Sequence, residues 1–405
     1  TVYSKGALNV SAADDIANSG QLLADGNLTL STGNTLADLA NAGRIQSGAA
    51  MVLGAADHRF NLNNSNANSV ILAGSTLTSH GGSLTNLGTV QATTGATVTA
   101  TSFTNSGSDA AFIVSTVDGG NGTLTLSGAF DNEGTLQSAG GLTVAASGQT
   151  LDNSGVIYAS GTSGSLSLSG SQLSNTSTGI IQGNGSVAID TTLASGNGLD
   201  NAGTVYSKGA LNVTAADDIA NSGQLLADGN LTLATGSALA DLANSGRIQS
   251  GAAMVLGAAD HRFNLNNSNA NSVILAGSTL TSHGGSLTNL GTVQATTGAT
   301  VTATSFTNSG ANSAFIVSTV DGGDGTLTLG GNLDNSGKLQ SAGGLTVNAG
   351  SNGITNRSGA LISVTGGSDT LSLTASTISN SGTIQGGGAT SLSGTSTSAT
   401  GLTNA

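Results

Sequence analysis

The chain has 405 residues, of which 63 are glycine and 37% are apolar, and it contains no proline, cysteine or tryptophan. Only 7% of the residues are charged, and the net charge is −13. A disordered linker normally carries proline and charge, and a nucleic-acid binder is normally basic, so we predict neither. Without cysteine there is no disulfide or thiolate metal site, and without an apolar run of about 18 residues no membrane-spanning segment is predicted.

The sequence repeats itself at an offset of 203 residues. Residues 43–107 are identical to residues 246–310, and the offset holds again at the end of the chain. The predicted domains are therefore two near-identical repeats, residues 1–203 and 204–405. Perfect identity over such a stretch indicates recent duplication, and we interpret both ends as lying inside a longer protein.

A shorter period runs through each repeat, marked by an apolar residue, a spacer, an asparagine, a spacer and a glycine. In chain order the markers of the first repeat are residues 16–20, 39–43, 84–88, 103–107, 130–134, 151–155, 173–179 and 199–203. Apolar and polar residues alternate after each marker, as in residues 20–30, which is the pattern of a β-strand. Hairpin signals of the Asn-Gly type at strand ends are missing, so the strands are predicted to be parallel.

These features predict an all-β fold, a parallel β-helix (solenoid) with about three short strands per turn of 20–25 residues. About nine turns per repeat give roughly eighteen turns in all. Proline is excluded because each central strand needs its backbone N–H for the neighbouring turn.

The marker asparagines are expected to stack as a structural ladder, whose side-chain amides satisfy polar groups at a tight corner. The predicted ladder residues are Asn18, Asn41, Asn86, Asn105, Asn132, Asn153, Asn175, Asn201, Asn221, Asn244, Asn289, Asn308, Asn335, Asn356 and Asn380.

One wide gap between markers, from Gly43 to Gly88, makes room for two turns. Residues 68–71 are predicted to open the unmarked turn. The densest charged cluster lies in this irregular region, where a loop is expected to leave the solenoid, and it is our candidate surface patch: Asp57, His58 and Arg59, repeated as Asp260, His261 and Arg262. The plainer interpretation of the patch is a solvated loop with a local ion pair. His80 and His283 are interpreted as exposed corner residues.

The pattern h-x-N-x-G-x-[LIV]-x-[AS]-x-G-x-L-x-[LV], clearest in residues 219–227 and 333–343, resembles the repeats of bacterial filamentous haemagglutinins and of contact-dependent growth-inhibition exoproteins. The resemblance covers nearly the whole chain and weakens over residues 55–79 and 258–282. It implies a right-handed β-helical rod exported by an outer-membrane partner transporter in two-partner secretion. It also implies a place outside the cell, secreted or at the bacterial surface.

Enzyme activity, calcium binding and ice binding are supported by weaker sequence patterns. A polysaccharide-cleaving β-helix needs clustered carboxylates, but the carboxylates are scattered, so no enzyme activity and no cofactor are predicted. The loops 118–122 and 321–325 match a calcium-binding nonapeptide only in part, because leucine stands where the ligand aspartate belongs; the pairs at 14–15 and 217–218 are weak cation candidates. Threonine pairs such as residues 97–101 suggest ice binding, but they do not recur at one position in consecutive turns.

The sequence thus predicts a repetitive segment of a secreted surface filament that provides length, rigidity and multivalent display for adhesion or biofilm formation. The expected partners are neighbouring repeats of the same chain, other filaments, and a carbohydrate or cell-surface receptor. The alternatives are the stick of a toxin-delivery exoprotein and, less well supported, a polysaccharide-cleaving enzyme.

Overall fold

A computed structural model describes residues 1–162, 164–397 and 400–405. All regular secondary structure in these residues is β-strand. The strands stack in parallel as a β-solenoid of about 17 turns with roughly 23 residues per turn. The predicted parallel β-solenoid is confirmed. The chain divides into a first unit, Thr1–Leu193 with Asp200–Gly209, and a second unit, Ala194–Leu199 with Ala210–Ala405.

Each turn contributes one strand to each of three parallel sheets, here called A, B and C. In the first unit, sheet A contains Val2–Ser4, Gln21–Ala24, Arg44–Ser47, Val70–Ala73, Thr89–Ala92, Ala111–Ser115, Thr135–Ser138, Val156–Ala159, Ile180–Gly183 and Thr204–Ser207. Sheet B contains Leu8–Ala12, Leu28–Thr32, Met51–Leu53, Gly95–Ala100, Gly122–Leu126, Leu142–Ala146, Leu166–Gly170 and Val187–Thr191. Sheet C contains Ile16–Asn18, Leu36–Asn41, Arg59–Asn64, Ser102–Asn105, Phe130–Asn132, Thr150–Asn153 and Gln172–Asn175. The long strand Thr76–Asn86 belongs to both B and C.

The second unit repeats this arrangement. Its sheet A strands are Gln224–Ala227, Arg247–Ser250, Val273–Ala276, Thr292–Ala295, Ala314–Ser318, Lys338–Ser341, Leu361–Val364 and Thr383–Gln385. Sheet B contains Leu211–Ala215, Leu231–Thr235, Met254–Leu256, Gly298–Ala303, Gly325–Leu329, Leu345–Asn348, Leu371–Ala375 and Thr390–Gly394. Sheet C contains Asp218–Asn221, Leu239–Asn244, Arg262–Asn267, Ser305–Asn308, Leu333–Asn335, Gly353–Asn356, Thr377–Asn380 and Leu402–Asn404, and Thr279–Asn289 is shared by B and C. Asn197–Asn201 is a further strand.

The core is formed by the inward residues of every strand. Strand Leu28–Thr32 alternates buried and half-buried residues, and Leu28 and Leu30 are fully buried. Leu28 stacks on Met51 of the next turn in register. Each such leucine stabilises the fold by about 1.5–3 kcal/mol relative to leaving it exposed. Because apolar inward residues of successive turns stack on one another, the alternation in the sequence produces a continuous apolar interior.

A few aromatic side chains also lie in the core. Phe103 is fully buried, and its ring centroid lies 5.2 Å from Phe112, edge to face, and 5.3 Å from the stacked ring of Phe130. Phe306 and Phe315 form the corresponding edge-to-face pair in the second unit, with centroids 4.9 Å apart.

A row of asparagines ends the strands of sheet C, and all of them except Asn404 are buried. In the first unit each side-chain Nδ2 donates to Oδ1 of the next asparagine at 2.8–2.9 Å, through Asn18, Asn41, Asn64, Asn86, Asn105, Asn132, Asn153, Asn175 and Asn201. The second unit has the same row at 2.7–2.9 Å, through Asn221, Asn244, Asn267, Asn289, Asn308, Asn335, Asn356, Asn380 and Asn404. The same amides also donate to backbone carbonyl groups at the corner. The buried side-chain amides and the corner carbonyl groups therefore satisfy each other's hydrogen bonds.

The sequence pattern missed Asn64, Asn267 and Asn404. Asn64 is followed by a long corner, in which Ser69 stands where a marker glycine is expected, and its Nδ2 lies 3.3 Å from the Ser69 carbonyl oxygen. Asn68 lies in the exposed turn before the strand, where its N–H donates to Asn66 Oδ1 at 3.0 Å. The strand begins at Val70, within the segment 68–71 that is predicted to open the unmarked turn.

The marker glycines occupy corners where successive turns approach closely. A Cβ at Gly43 would overlap the carbonyl oxygen of Gly20 in the preceding turn. Gly107 is an exception to the marker rule, because its corner is lengthened and Ala110 takes the glycine's place, accepting the N–H of Thr135 at 2.8 Å. The marker at residues 103–107 therefore identifies the right asparagine but the wrong corner residue.

Candidate functional site

The predicted surface patch begins at a tight turn. Ala55 and His58 exchange backbone hydrogen bonds of 2.8 and 3.2 Å, and strand Arg59–Asn64 of sheet C follows immediately. Gly54, with φ of +73°, opens the turn, and a Cβ there would lie 2.9 Å from two carbonyl oxygens. The expectation that a loop leaves the solenoid here is wrong, because the strands of sheets A, B and C continue on both sides of a compact turn.

The three patch side chains diverge. His58 Nδ1 lies 3.0 Å from the Asn34 carbonyl oxygen, and His58 Nε2 lies 3.8 Å from Asp57 Oδ2. In the second unit the corresponding pair is tighter, at 3.1 Å between His261 Nδ1 and Asp260 Oδ1, and the hydrogen bond from His261 lowers the pKa of Asp260. The local polar contact of the patch is thus between aspartate and histidine, and it does not include the arginine.

The Arg59 guanidinium forms no hydrogen bond or ion pair within residues 1–162, 164–397 and 400–405. It lies at the start of its strand and is exposed. By contrast, Arg44 Nε donates to Gln46 Oε1 at 2.7 Å, and Arg357 Nε donates to Asp334 Oδ1 at 2.6 Å. Arg59 is therefore a cationic group whose donors are available to a ligand.

His80 is half-buried within the long strand Thr76–Asn86, so the prediction of an exposed corner residue is wrong. The strand passes from sheet B to sheet C without a break, and its pairing register shifts between Gly81 and Leu84. His80 Nδ1 lies 3.2 Å from Thr99 Oγ1 in the next turn. The same contact in the second unit, between His283 and Thr302, measures 3.3 Å.

Arg59 and His80 meet in an open groove of about 510 Å³ in the first unit, which we call the Arg59 groove. Its volume lies within the range of about 300–1,000 Å³ that is typical of small-molecule sites. The lining residues are Ala56, Arg59, His80, Gly81, Thr99, Ala100, Thr101, Thr125, Leu126, Ser127 and Ser147. None of these described lining residues is acidic.

The hydroxyl groups of the groove belong to an ordered array on sheet B. Thr97 pairs with Thr123, and Thr99 pairs with Thr125, so the same T-x-T pair stands in two consecutive turns. The first column extends to Thr78 before and Thr143 after. The prediction that threonine pairs do not recur at one position is therefore wrong. Their spacing is that of the sheet, about 4.8 Å between strands and about 6.7 Å along a strand.

The second unit carries the same elements in its own sheets. Arg262, His283, Gly284, Thr302 and Thr304 lie 203 residues after their counterparts, inside or beside the identical stretch. The threonine columns recur as Thr281, Thr300, Thr326 and Thr346, and as Thr302 and Thr328. Two lining positions differ, because Gly330 replaces Ser127 and Gly350 replaces Ser147.

A second polar surface lies on sheet C. In the second unit it is a cleft of about 320 Å³, where Asn264 Nδ2 donates to Asp241 Oδ1 at 2.9 Å and Asn264 Oδ1 accepts the N–H of Ser286 at 3.0 Å. Asp241 N–H in turn donates to Asp218 Oδ1 at 2.7 Å. The polar groups here bond to one another, in contrast to the free guanidinium of the Arg59 groove.

The acidic loops are organised differently from a calcium site. Asp118 Oδ2 accepts a hydrogen bond from Thr162 Oγ1 at 3.0 Å, and Asp14 and Asp15 accept hydrogen bonds from the next turn at 2.7 and 2.8 Å. In the second unit a hydrogen bond with Asp321, followed by burial, raises the pKa of Asp369. Within the described residues no group of three or more histidine and acidic side chains is arranged to hold a metal ion.

In comparisons with known proteins, the chain matches no family model, no curated protein and no solved structure. The described part of the chain also contains no apolar helix of membrane-spanning length. The Arg59 groove is the best candidate site. Sequence analysis assigned only its arginine to a candidate patch, weighed the threonines of residues 97–101 for ice binding alone, and missed Thr125 and the serines. The shared T-x-T pattern of residues 97–99 and 123–125 was the signal that could have found them.

Proposed function

We propose that the chain is a repetitive segment of a secreted bacterial surface filament, which displays binding sites for adhesion or biofilm formation. One observation carries this proposal: the exposed Arg59 and the His80–Thr99 contact recur as Arg262 and the His283–Thr302 contact on the same β-solenoid framework. Repetition of a weak site on one chain raises the overall affinity for a polyvalent surface. The likeness of the repeat to haemagglutinin repeats supports export through an outer-membrane partner transporter as part of the same proposal.

The composition of the groove supports binding without cleavage. Glycoside hydrolysis generally uses a pair of carboxyl groups on either side of the scissile bond. The described lining of the Arg59 groove offers an arginine, a histidine and hydroxyl groups but no carboxylate. A non-enzymatic role is therefore the role that we propose.

Adhesion of coated beads tests this function. Fluorescent beads carrying the 405-residue chain are washed over bacterial biofilms and over epithelial cells, beside beads carrying albumin at equal density. Retention several-fold above albumin, increasing steeply with coating density, is the expected result. Equal retention of the two kinds of bead on every surface would overturn the adhesive role.

A further inference from the structure

We propose that the Arg59 groove binds the carboxylate of an acidic sugar residue within a polysaccharide, and that the second unit offers a corresponding site around Arg262, in which glycine replaces the two lining serines. This proposal deepens the adhesive function and relies on it for the polymeric nature of the ligand. It rests on four features of the groove: its charge, its hydroxyl groups, its open form and its recurrence.

The charge comes from an arginine without a partner. In a chain of net charge −13, Arg59 has no carboxylate within 4.0 Å among the described residues, and the groove lining adds none. A guanidinium presents a planar fork of donors that matches a carboxylate in two parallel hydrogen bonds. The groove is thus selective for an anionic group, although most of the molecule repels anions.

The hydroxyl groups suit the remainder of a sugar ring. The His80 ring is held through Nδ1 by Thr99, which leaves Nε2 as its second polar atom. Thr101, Thr125, Ser127 and Ser147 line the same groove. Hydroxyl side chains both donate and accept, as do the hydroxyl groups of a sugar, and the apolar side chains of the lining can contact its C–H face.

The groove is open to solvent and not enclosed. An open groove admits a residue in the middle of a polymer, whereas a closed pocket would accept only a chain end. The site around Arg262 then allows one long polysaccharide, or neighbouring strands of a polysaccharide matrix, to engage the chain more than once.

Calorimetric titration with tetragalacturonate at about 50 mM salt tests the assignment. We expect the intact 405-residue chain to bind it, and the Arg59→Gln/Arg262→Gln variant to bind at least about tenfold more weakly, which is about 1.4 kcal/mol. The matched control is Arg44→Gln/Arg247→Gln, which removes the same two charges from arginines already bonded to glutamine on sheet A. This control is expected to bind within about twofold of the wild type.

Two further ligands test whether the carboxylate group is what the groove recognises. Fully methyl-esterified tetragalacturonate keeps the sugar and loses the charge, and we expect no measurable binding. A sulfated tetrasaccharide that binds while tetragalacturonate does not would overturn the carboxylate assignment. Equal losses in the two arginine double variants would also overturn it, because they would indicate unspecific attraction by net charge.

The bead and titration experiments fail independently. Beads that adhere, combined with no binding of tetragalacturonate, would sink the ligand assignment and leave the adhesive function standing. Binding of tetragalacturonate, combined with beads that do not adhere, would overturn the adhesive function and leave the ligand assignment standing.

Discussion

Asn132 lies in the middle of the first asparagine ladder, and its replacement by alanine tests what the ladder contributes. Its Nδ2 donates to Asn153 Oδ1 at 2.8 Å and to the Gly134 and Val156 carbonyl oxygens at 3.1 and 3.2 Å, and its Oδ1 accepts from Asn105 at 2.9 Å. Alanine leaves the buried Asn153 Oδ1 without this donor and removes the three other hydrogen bonds of the Asn132 side chain.

The expected cost follows from that geometry. A buried polar atom left unsatisfied costs about 1–3 kcal/mol, and the Asn105 amide retains only its contact with the Thr135 carbonyl oxygen at 3.1 Å. We therefore expect a loss of about 3 kcal/mol in the local free energy of opening. That loss corresponds to roughly a hundredfold faster hydrogen exchange in this part of the chain.

Hydrogen–deuterium exchange read by mass spectrometry measures this directly. Peptides from residues 130–160 should exchange faster, while the corresponding peptides near Asn335, which differ in sequence, should be unchanged and serve as the internal control. Asn132→Leu fills the volume without the hydrogen bonds and should protect no better than alanine. If leucine restores protection, packing and not the amide row stabilises this corner, and the reasoning is wrong.

Three further changes have defined outcomes. Phe103→Ala should lower stability in urea unfolding by about 3–5 kcal/mol, because the ring is fully buried between two others. A loss below about 1 kcal/mol would contradict this packing. Gly122→Ala places a Cβ on a neighbouring valine side chain and should destabilise by about 1–3 kcal/mol, whereas Gly20→Ala meets open space and should be close to neutral in the same assay. The hydrogen bond with Asp321 raises the pKa of Asp369, so the protonated carboxyl group stabilises the folded state. This contribution to the free energy of unfolding is fully present below the unfolded pKa of about 3.9 and is lost as pH rises through the folded pKa. Asp369→Asn should flatten this pH dependence in exchange measurements, and an unchanged profile would refute the pairing.

The fold was predictable because its signal is local and repeated. Alternation of apolar residues defines each strand, and the asparagine followed by glycine defines one corner of each turn, so the parallel solenoid followed from counting. Asn64 escaped because its corner carries Ser69 in place of the marker glycine, and because five residues, where most corners have two, separate it from the next strand.

The candidate site was less predictable because it depends on register between turns. Arg59, His80, Thr99 and Thr125 come from four successive turns whose lengths differ, so their proximity cannot be read from a fixed period. The long strand Thr76–Asn86 adds to this, since it carries His80 through a position where other turns have a corner. Arg59 could be identified from its residue type alone, whereas the residues around it in the groove could be identified only from the strand pairing.

The asparagine row also determines how such a chain can change in evolution. Successive ladder residues of the first unit are separated by as few as 19 and as many as 27 positions, yet the amide contacts stay within 2.8–2.9 Å. Insertions at a corner are therefore tolerated, and the removal of one whole turn brings together two asparagines that fit each other as well as their former partners did. Turns behave as interchangeable modules, and recombination between near-identical stretches can add or delete them while every junction remains chemically complete.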